Sequence, residues 1–164
     1  TILQLRLHPS IIKLKEKYPS GKIHTVNLDY TTPRGLWYKY SWKGDEEKSG
    51  GVASNIGVHF FDMLIWIFGQ VNSIDVMNTP TSSRGTLRLE NANINFNLSI
   101  SKEDLPWKDW KPFRSITIDG EEVEFSEGFA DLHNKSYEQI MQGNGFTLNN
   151  VESTIKLIED IRCK

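Results

Sequence analysis

The chain has 164 residues, enough to bury roughly 70% of its unfolded surface around one core, so a single domain is expected. Its 19 Lys and Arg against 21 Asp and Glu, a formal charge of −2, leave no basic surplus of the kind that neutralises the phosphates of a nucleic acid, and nucleic acid is set aside as a partner. A single cysteine, Cys163, can form no internal disulfide, which fits a reducing compartment and makes the cytoplasm the expected location.

The chain opens abruptly on Thr1-Ile2-Leu3-Gln4, without an initiator Met or a signal-like segment, and reads as a cut inside a longer protein. Pro9 opens a short helix whose apolar positions run through Ile11, Ile12 and Leu14 and which stops at Pro19-Ser20-Gly21. Lys22 to Thr32 and Leu36 to Trp42 are rich in β-branched and aromatic residues and are expected as strands, joined by the turn Thr32-Pro33-Arg34-Gly35. After a polar, Gly-rich stretch, Ser54 is placed to cap a helix that runs to Phe68 and stops at Gly69. Its longest apolar run, Phe60 to Phe68, is broken by Asp62 and falls short of the roughly 20 residues a membrane span needs, so no membrane partner is expected.

Three strands follow, Val71 to Met77, Gly85 to Glu90 and Ala92 to Ile100. The last alternates: Ala92, Ile94, Phe96, Leu98 and Ile100 face one way, and Asn93, Asn95, Asn97 and Ser99 the other. Residues Ser101 to Pro112 mix prolines, tryptophans and charges as a loop. Arg114 to Asp119 and Glu121 to Phe125 then flank Asp119-Gly120 as a hairpin. Two helices, Leu132 to Gln142 and Val151 to Arg162, close the chain. Gly143-Asn144-Gly145 between them only superficially resembles a dinucleotide-binding turn, because it follows a helix and Leu148 stands where a third glycine is needed. The expected class is α+β: an open, largely antiparallel (mixed) sheet with helices on one face.

Chemistry concentrates on the central helix. Asn55, His59 and Asp62 are spaced i, i+4 and i+7 and so share one face of an otherwise apolar segment. Such a stripe is either a set of satisfied core polar groups or the lining of a cleft in which His59 exchanges a proton with a substrate hydroxyl while Asn55 holds a neighbouring group. Gly57 inside the helix marks a close approach of something. The run Arg34 to Asp45 combines cations with aromatics. It is either a half-exposed strand or a platform on which Trp42 stacks a sugar or base while Arg34 and Lys43 pair with phosphate or carboxylate. No histidine or cysteine spacing suits a metal, and none is expected.

At Gly50-Gly51 and Asn55-Ile56-Gly57-Val58-His59 the chain resembles the Gfo/Idh/MocA oxidoreductases, whose C-terminal domain carries a glycine pair, then Asp or Asn, then His four residues later on a helix. Ser41-Trp42-Lys43-Gly44-Asp45 and Asp131-Leu132-His133 through Ser136-Tyr137-Glu138 narrow the similarity to members that oxidise UDP-N-acetylglucosaminuronate at C3 in bacterial lipopolysaccharide sugar biosynthesis. The resemblance, from Leu5 to Arg162, implies that residues 1–164 form a substrate-binding and oligomerisation domain, with His59 catalytic and Asn55, Arg34, Trp42 and Lys43 on the substrate. NAD would be held mainly by a separate Rossmann domain, with no cofactor-binding residue in this chain. Family members often carry Asp where Asn55 stands. Other readings remain open: a relative acting on another sugar or a cyclitol, or a non-catalytic domain that pairs with copies of itself through the polar sheet face.

Overall fold

The computed structural model describes residues 3–18, 20–124 and 131–164. Helix α1 (Pro9–Lys17) starts where the His8 ring accepts a hydrogen bond from the Ser10 N–H at 3.1 Å. Strand β1 (His24–Thr31) follows. After β2 (Val71–Thr79), β3 (Ser82–Leu89), β4 (Ala92–Ser99), β5 (Phe113–Ile118) and the short β6 (Glu121–Glu122), the six strands lie in the order β2-β3-β4-β1-β5-β6. β1 runs parallel to β4, and the other neighbouring strands are antiparallel. This is the mixed sheet with helices on one face that the sequence implied. Phe125, the expected end of the last hairpin, lies outside the described residues.

Period-2 patterning decides which face is covered. Val26 and Leu28 of β1, Ile94, Phe96 and Leu98 of β4, and Ile116 and Ile118 of β5 are buried on one side. On the other side, side-chain amides cross-link the strands: Asn95 donates to Asn27 at 3.0 Å, Asn97 to Asp29 at 3.0 Å, and Asn27 to Thr117 at 3.2 Å. Ser99 departs from the expected exposed row. It is wholly buried, and its hydroxyl donates to Asp104 at 2.6 Å beneath the 3-10 turn Lys102–Asp104.

The buried face is covered by α4 (Val58–Phe68), whose Phe61, Met63, Leu64, Ile65 and Phe68 are nearly inaccessible. Phe61 meets Phe96 edge-on with centroids 5.1 Å apart. Each such side chain contributes roughly 1.5–3 kcal/mol on burial. The helical stretch Glu46–Phe68 is long and apolar enough to cross a membrane by length and composition, yet 67% of its most apolar window is buried against the sheet. That is the signature of a core helix, apolar on every side because it is enclosed.

Two expectations fail locally. Leu36 to Trp42 is not a strand but helix α2 (Leu36–Tyr40) followed by the 3-10 turn Trp42–Gly44. Alternation would have buried Leu36, Tyr38 and Tyr40 together. Only Tyr38 is buried, while Leu36 is 70% and Tyr40 88% exposed, and the Ser41 hydroxyl ties the turn by donating to Tyr38 O at 2.8 Å. The aromatic β preference reflects packing on a pleated surface, and here no strand partner supplies one. Nor does Ser54 cap the central helix. Gly50 closes α3 (Glu46–Ser49) in the left-handed region at φ 76°, and Ser49 Oγ accepts from the Gly51 N–H at 3.1 Å, so helical winding already begins at Gly51.

Helices α5 (Leu132–Met141) and α6 (Leu148–Arg162) complete the layer, α6 starting at a Thr147/Asn150 capping box three residues before the expected Val151.

Candidate active site

Between Gly51 and α4 the backbone is wound as a π turn, Ala53–Gly57. Such a turn inserts a residue relative to α-helical winding and often marks a functional site. It carries Asn55 and leads directly into His59 in the first turn of α4. The same segment packs tightly on the sheet at Gly57, where a Cβ would lie 2.6 Å from Phe61 and 2.8 Å from Leu98. The close approach expected at Gly57 is therefore made by the core, and that glycine is no sign of a ligand.

His59 and Asn55 open into one pocket of about 260 Å³, together with Arg34 from the turn after β1. Three residues that the sequence did not single out complete the polar lining: Gln4 from the 3-10 turn Gln4–Leu7, Tyr30 from β1 and Arg114 from β5. The Asn55 amide donates to Gly51 O at 3.0 Å, which orients it and leaves its oxygen as an acceptor toward the pocket. Gln4 Oε1 and His59 Nδ1 are buried polar atoms with no partner among the described residues. Burial pushes the His59 pKa below its ordinary 6.5; the charge of Asp62 pulls it back up, and His133 adds a further lowering. The imidazole is therefore neutral at neutral pH and able to accept a proton. Arg34 and Arg114 supply two positive charges, and among the described residues no Asp or Glu lines the pocket.

Asp62, the third member of the stripe, is elsewhere. It is fully buried and accepts both Nε (2.7 Å) and Nη2 of Arg6, plus the Thr154 hydroxyl at 3.0 Å. Arg6 also donates to Asn150 O at 2.9 Å. Asp62 thus knots the N-terminal turn, α4 and α6 together. Trp42 and Lys43 do not reach the His59 pocket. They lie on the exposed 3-10 turn after α2, the lysine Nζ 5.8 Å from the Trp42 ring centroid. Among the described residues no cluster of three or more His, Cys, Asp or Glu is placed to hold a metal ion.

The segment Gly143-Asn144-Gly145 lacks the strand-turn-helix geometry of a dinucleotide-binding turn. Gly143, at φ 77°, ends helix α5 rather than a strand. The α6 N-terminus beyond it is occupied by its own Thr147 and Asn150 side chains, with the Thr147 N–H bound to Asn150 Oδ1 at 2.8 Å.

Residues 21–105 match the model of the oxidoreductase family C-terminal alpha/beta domain, slightly more than half of the chain and the stretch that holds Asn55 and His59. The chain belongs to the Gfo/Idh/MocA oxidoreductase family. Among solved structures, the WlbA (WbpB) dehydrogenase of Thermus thermophilus in complex with NAD and UDP-GlcNAcA is 46% identical, with a TM-score of 0.91 over 99% of this chain and 54% of that one. The same enzyme in complex with NAD and alpha-ketoglutarate is 45% identical, with a TM-score of 0.90 over the same shares, 99% and 54%. The WlbA dehydrogenase of Bordetella pertussis, in complex with NADH and UDP-GlcNAcA, shares the fold at 20% identity, with a TM-score of 0.74 over 98% of this chain and 58% of that one. The chain thus spans about half the length of the structures it matches.

Proposed function

We propose that this domain is the substrate-binding part of an NAD-dependent dehydrogenase that oxidises the C3 hydroxyl of a UDP-N-acetylhexosaminuronate in the cytoplasmic synthesis of bacterial lipopolysaccharide sugars. The observation that carries the reading is the pocket itself: a neutral imidazole, an oriented amide and two guanidinium groups converge where Asn55 and His59 hold the family's motif. The Thermus relative, 46% identical, is described with both NAD and UDP-GlcNAcA, which supports this cofactor and this substrate class.

In this reading His59 accepts the proton of the sugar hydroxyl as the hydride leaves the same carbon. Asn55 Oδ1 and Gln4 Oε1 accept hydrogen bonds from neighbouring hydroxyl or amide N–H groups, which turns the reacting hydroxyl toward His59. The hydride goes to NAD, which a separate domain holds for the most part. Trp42 and Lys43 stand outside the pocket lining and would serve only a part of the nucleotide that extends beyond it. The flat outer face with its amide ladder is the surface through which copies would associate.

The test is to assay the full-length protein with NAD against a panel of UDP-sugars. Reduction of NAD with UDP-N-acetylglucosaminuronate is expected. Turnover of a cyclitol or of a sugar without a nucleotide, and of no UDP-sugar, would replace the substrate assignment.

A further inference from the structure

A second cavity, of about 290 Å³, adjoins the His59 pocket and shares Arg34 with it. One wall is the turn after β1 and helix α2, which bring Arg34 and Lys39. The other is the 3-10 turn Lys102–Asp104 and the loop beyond it, which bring Lys102, Glu103 and Trp110. Both walls are tied to the sheet. The Arg34 N–H donates to Ile100 O at 3.1 Å, and the Asp104 carboxylate accepts from the Ser99 hydroxyl at 2.6 Å and from Arg84 at 3.1 Å.

We propose that this cavity is the nucleoside diphosphate subsite of the enzyme, with Arg34, Lys39 and Lys102 on the phosphates and Trp110 stacked on the base. The proposal rests on the nucleotide-sugar reading above and assigns the half of that substrate which does not react.

Three observations carry it. First, Arg34, Lys39 and Lys102 are exposed, and among the described residues none of them makes an ion pair. One carboxylate, Glu103, shares the lining, and it accepts the Ser101 hydroxyl. Three cations converging on one space favour a ligand of more than one negative charge. Second, the Trp110 indole is 59% exposed, with Lys102 Nζ 5.6 Å from its ring centroid and no other aromatic ring against it among the described residues. An indole kept at the surface beside a cation is a platform for a base, which stacks by its π face. Third, neither cavity alone, at about 260 and 290 Å³, reaches the roughly 300–1,000 Å³ that encloses a whole drug-sized ligand. Joined at Arg34, they follow the order of a nucleotide sugar: the reacting ring at His59, the phosphates at the cations, the base at Trp110.

A dinucleotide cofactor carries a diphosphate and bases too, and the experiment separates the two sources. Calorimetry on the full-length protein measures Kd for UDP, inorganic pyrophosphate and NAD, in wild type, Lys39→Gln, Lys102→Gln and Trp110→Ala. All three side chains are exposed, so the variants are expected to fold. UDP should bind the wild type, weaken roughly 10-fold in each lysine variant and weaken roughly 5- to 100-fold in Trp110→Ala. Pyrophosphate should follow the lysine losses and ignore Trp110→Ala, and NAD should be unchanged throughout. A protein that binds no UDP, or binds it equally well in all three variants, overturns the proposal. So does a loss of NAD affinity without a loss of UDP affinity, which would give the cavity to the cofactor. If Trp110→Ala alone leaves UDP as tight as in wild type, the base is not at Trp110 and the assignment of a nucleoside is overturned. If UDP binding behaves as expected but no UDP-sugar is oxidised, the C3 dehydrogenase reading falls while the nucleoside diphosphate subsite stands.

Discussion

His59 and Asp62 stand three residues apart on one face of one helix, and in the sequence they form a single polar stripe. In the structure their surroundings are opposite. Asp62 has every contact a buried carboxylate needs, from Arg6 and Thr154, and lies beyond reach of any ligand. His59 is sunk in the same layer with Nδ1 unmatched among the described residues and its ring on an open pocket. The difference teaches that helical spacing identifies which polar groups share a face, whereas partner saturation separates those that hold the fold from those that await a substrate.

Removing Asp62 should show the largest effect on the fold. Asp62→Ala leaves the Arg6 guanidinium charged and enclosed, and is expected to destabilise the protein by about 3–5 kcal/mol, read as a lowered urea midpoint. Exchanging both partners for apolar residues, Arg6→Met with Asp62→Leu, should recover much of the loss. If the double variant is as unstable as Asp62→Ala, the penalty is not that of an orphaned charge.

Asn55→Ala sharpens the other half of the comparison. An orienting amide contacts ground state and transition state alike, so substrate binding and turnover in the full-length protein should fall together by roughly 10- to 100-fold. An unchanged KM for the UDP-sugar would remove Asn55 from the substrate.

Smaller effects appear with pH. Because burial lowers the His59 pKa beneath 6.5, the unfolded chain binds the proton more readily, and the stability contributed by neutral His59 is present above pH 6.5 and lost as pH falls below it. His59→Gln should flatten that part of a stability-against-pH curve. At the opposite end of β1, the Thr25 N–H and the His24 ring lower Asp119 from 3.8 to about 2, and Nδ1 of His24 lies 2.8 Å from its carboxylate. The stability held by Asp119 is therefore complete above about pH 4 and lost as pH falls toward 2, a slope that Asp119→Asn should remove.

What was readable in the sequence was local. The alternation of β4 and the enclosed apolar helix α4 announce themselves by period, and the Asn55 to His59 spacing gives the face that meets the pocket. Arg114 and Tyr30 were invisible because their pairing depends on strand register across more than eighty residues, and Gln4 reaches the site only through the packing of an N-terminal turn. Trp42 and Lys43 drew attention through residue type, yet α2 and its following turn hold them outside the pocket. Gly57 was a true signal of close approach whose partner the sequence left open, and Leu98 and Phe61 fill that space.

The central claim, that the unsaturated histidine and not the saturated aspartate does the chemistry, is tested most directly by steady-state kinetics of His59→Ala in the full-length protein with NAD and UDP-N-acetylglucosaminuronate. The account predicts that kcat falls about 10²- to 10⁴-fold while the KM for the sugar changes far less, in a protein whose urea midpoint above pH 7 stays close to that of wild type. A His59→Ala protein that is folded and keeps near-normal kcat would contradict it and make His59, like Asp62, a part of the core.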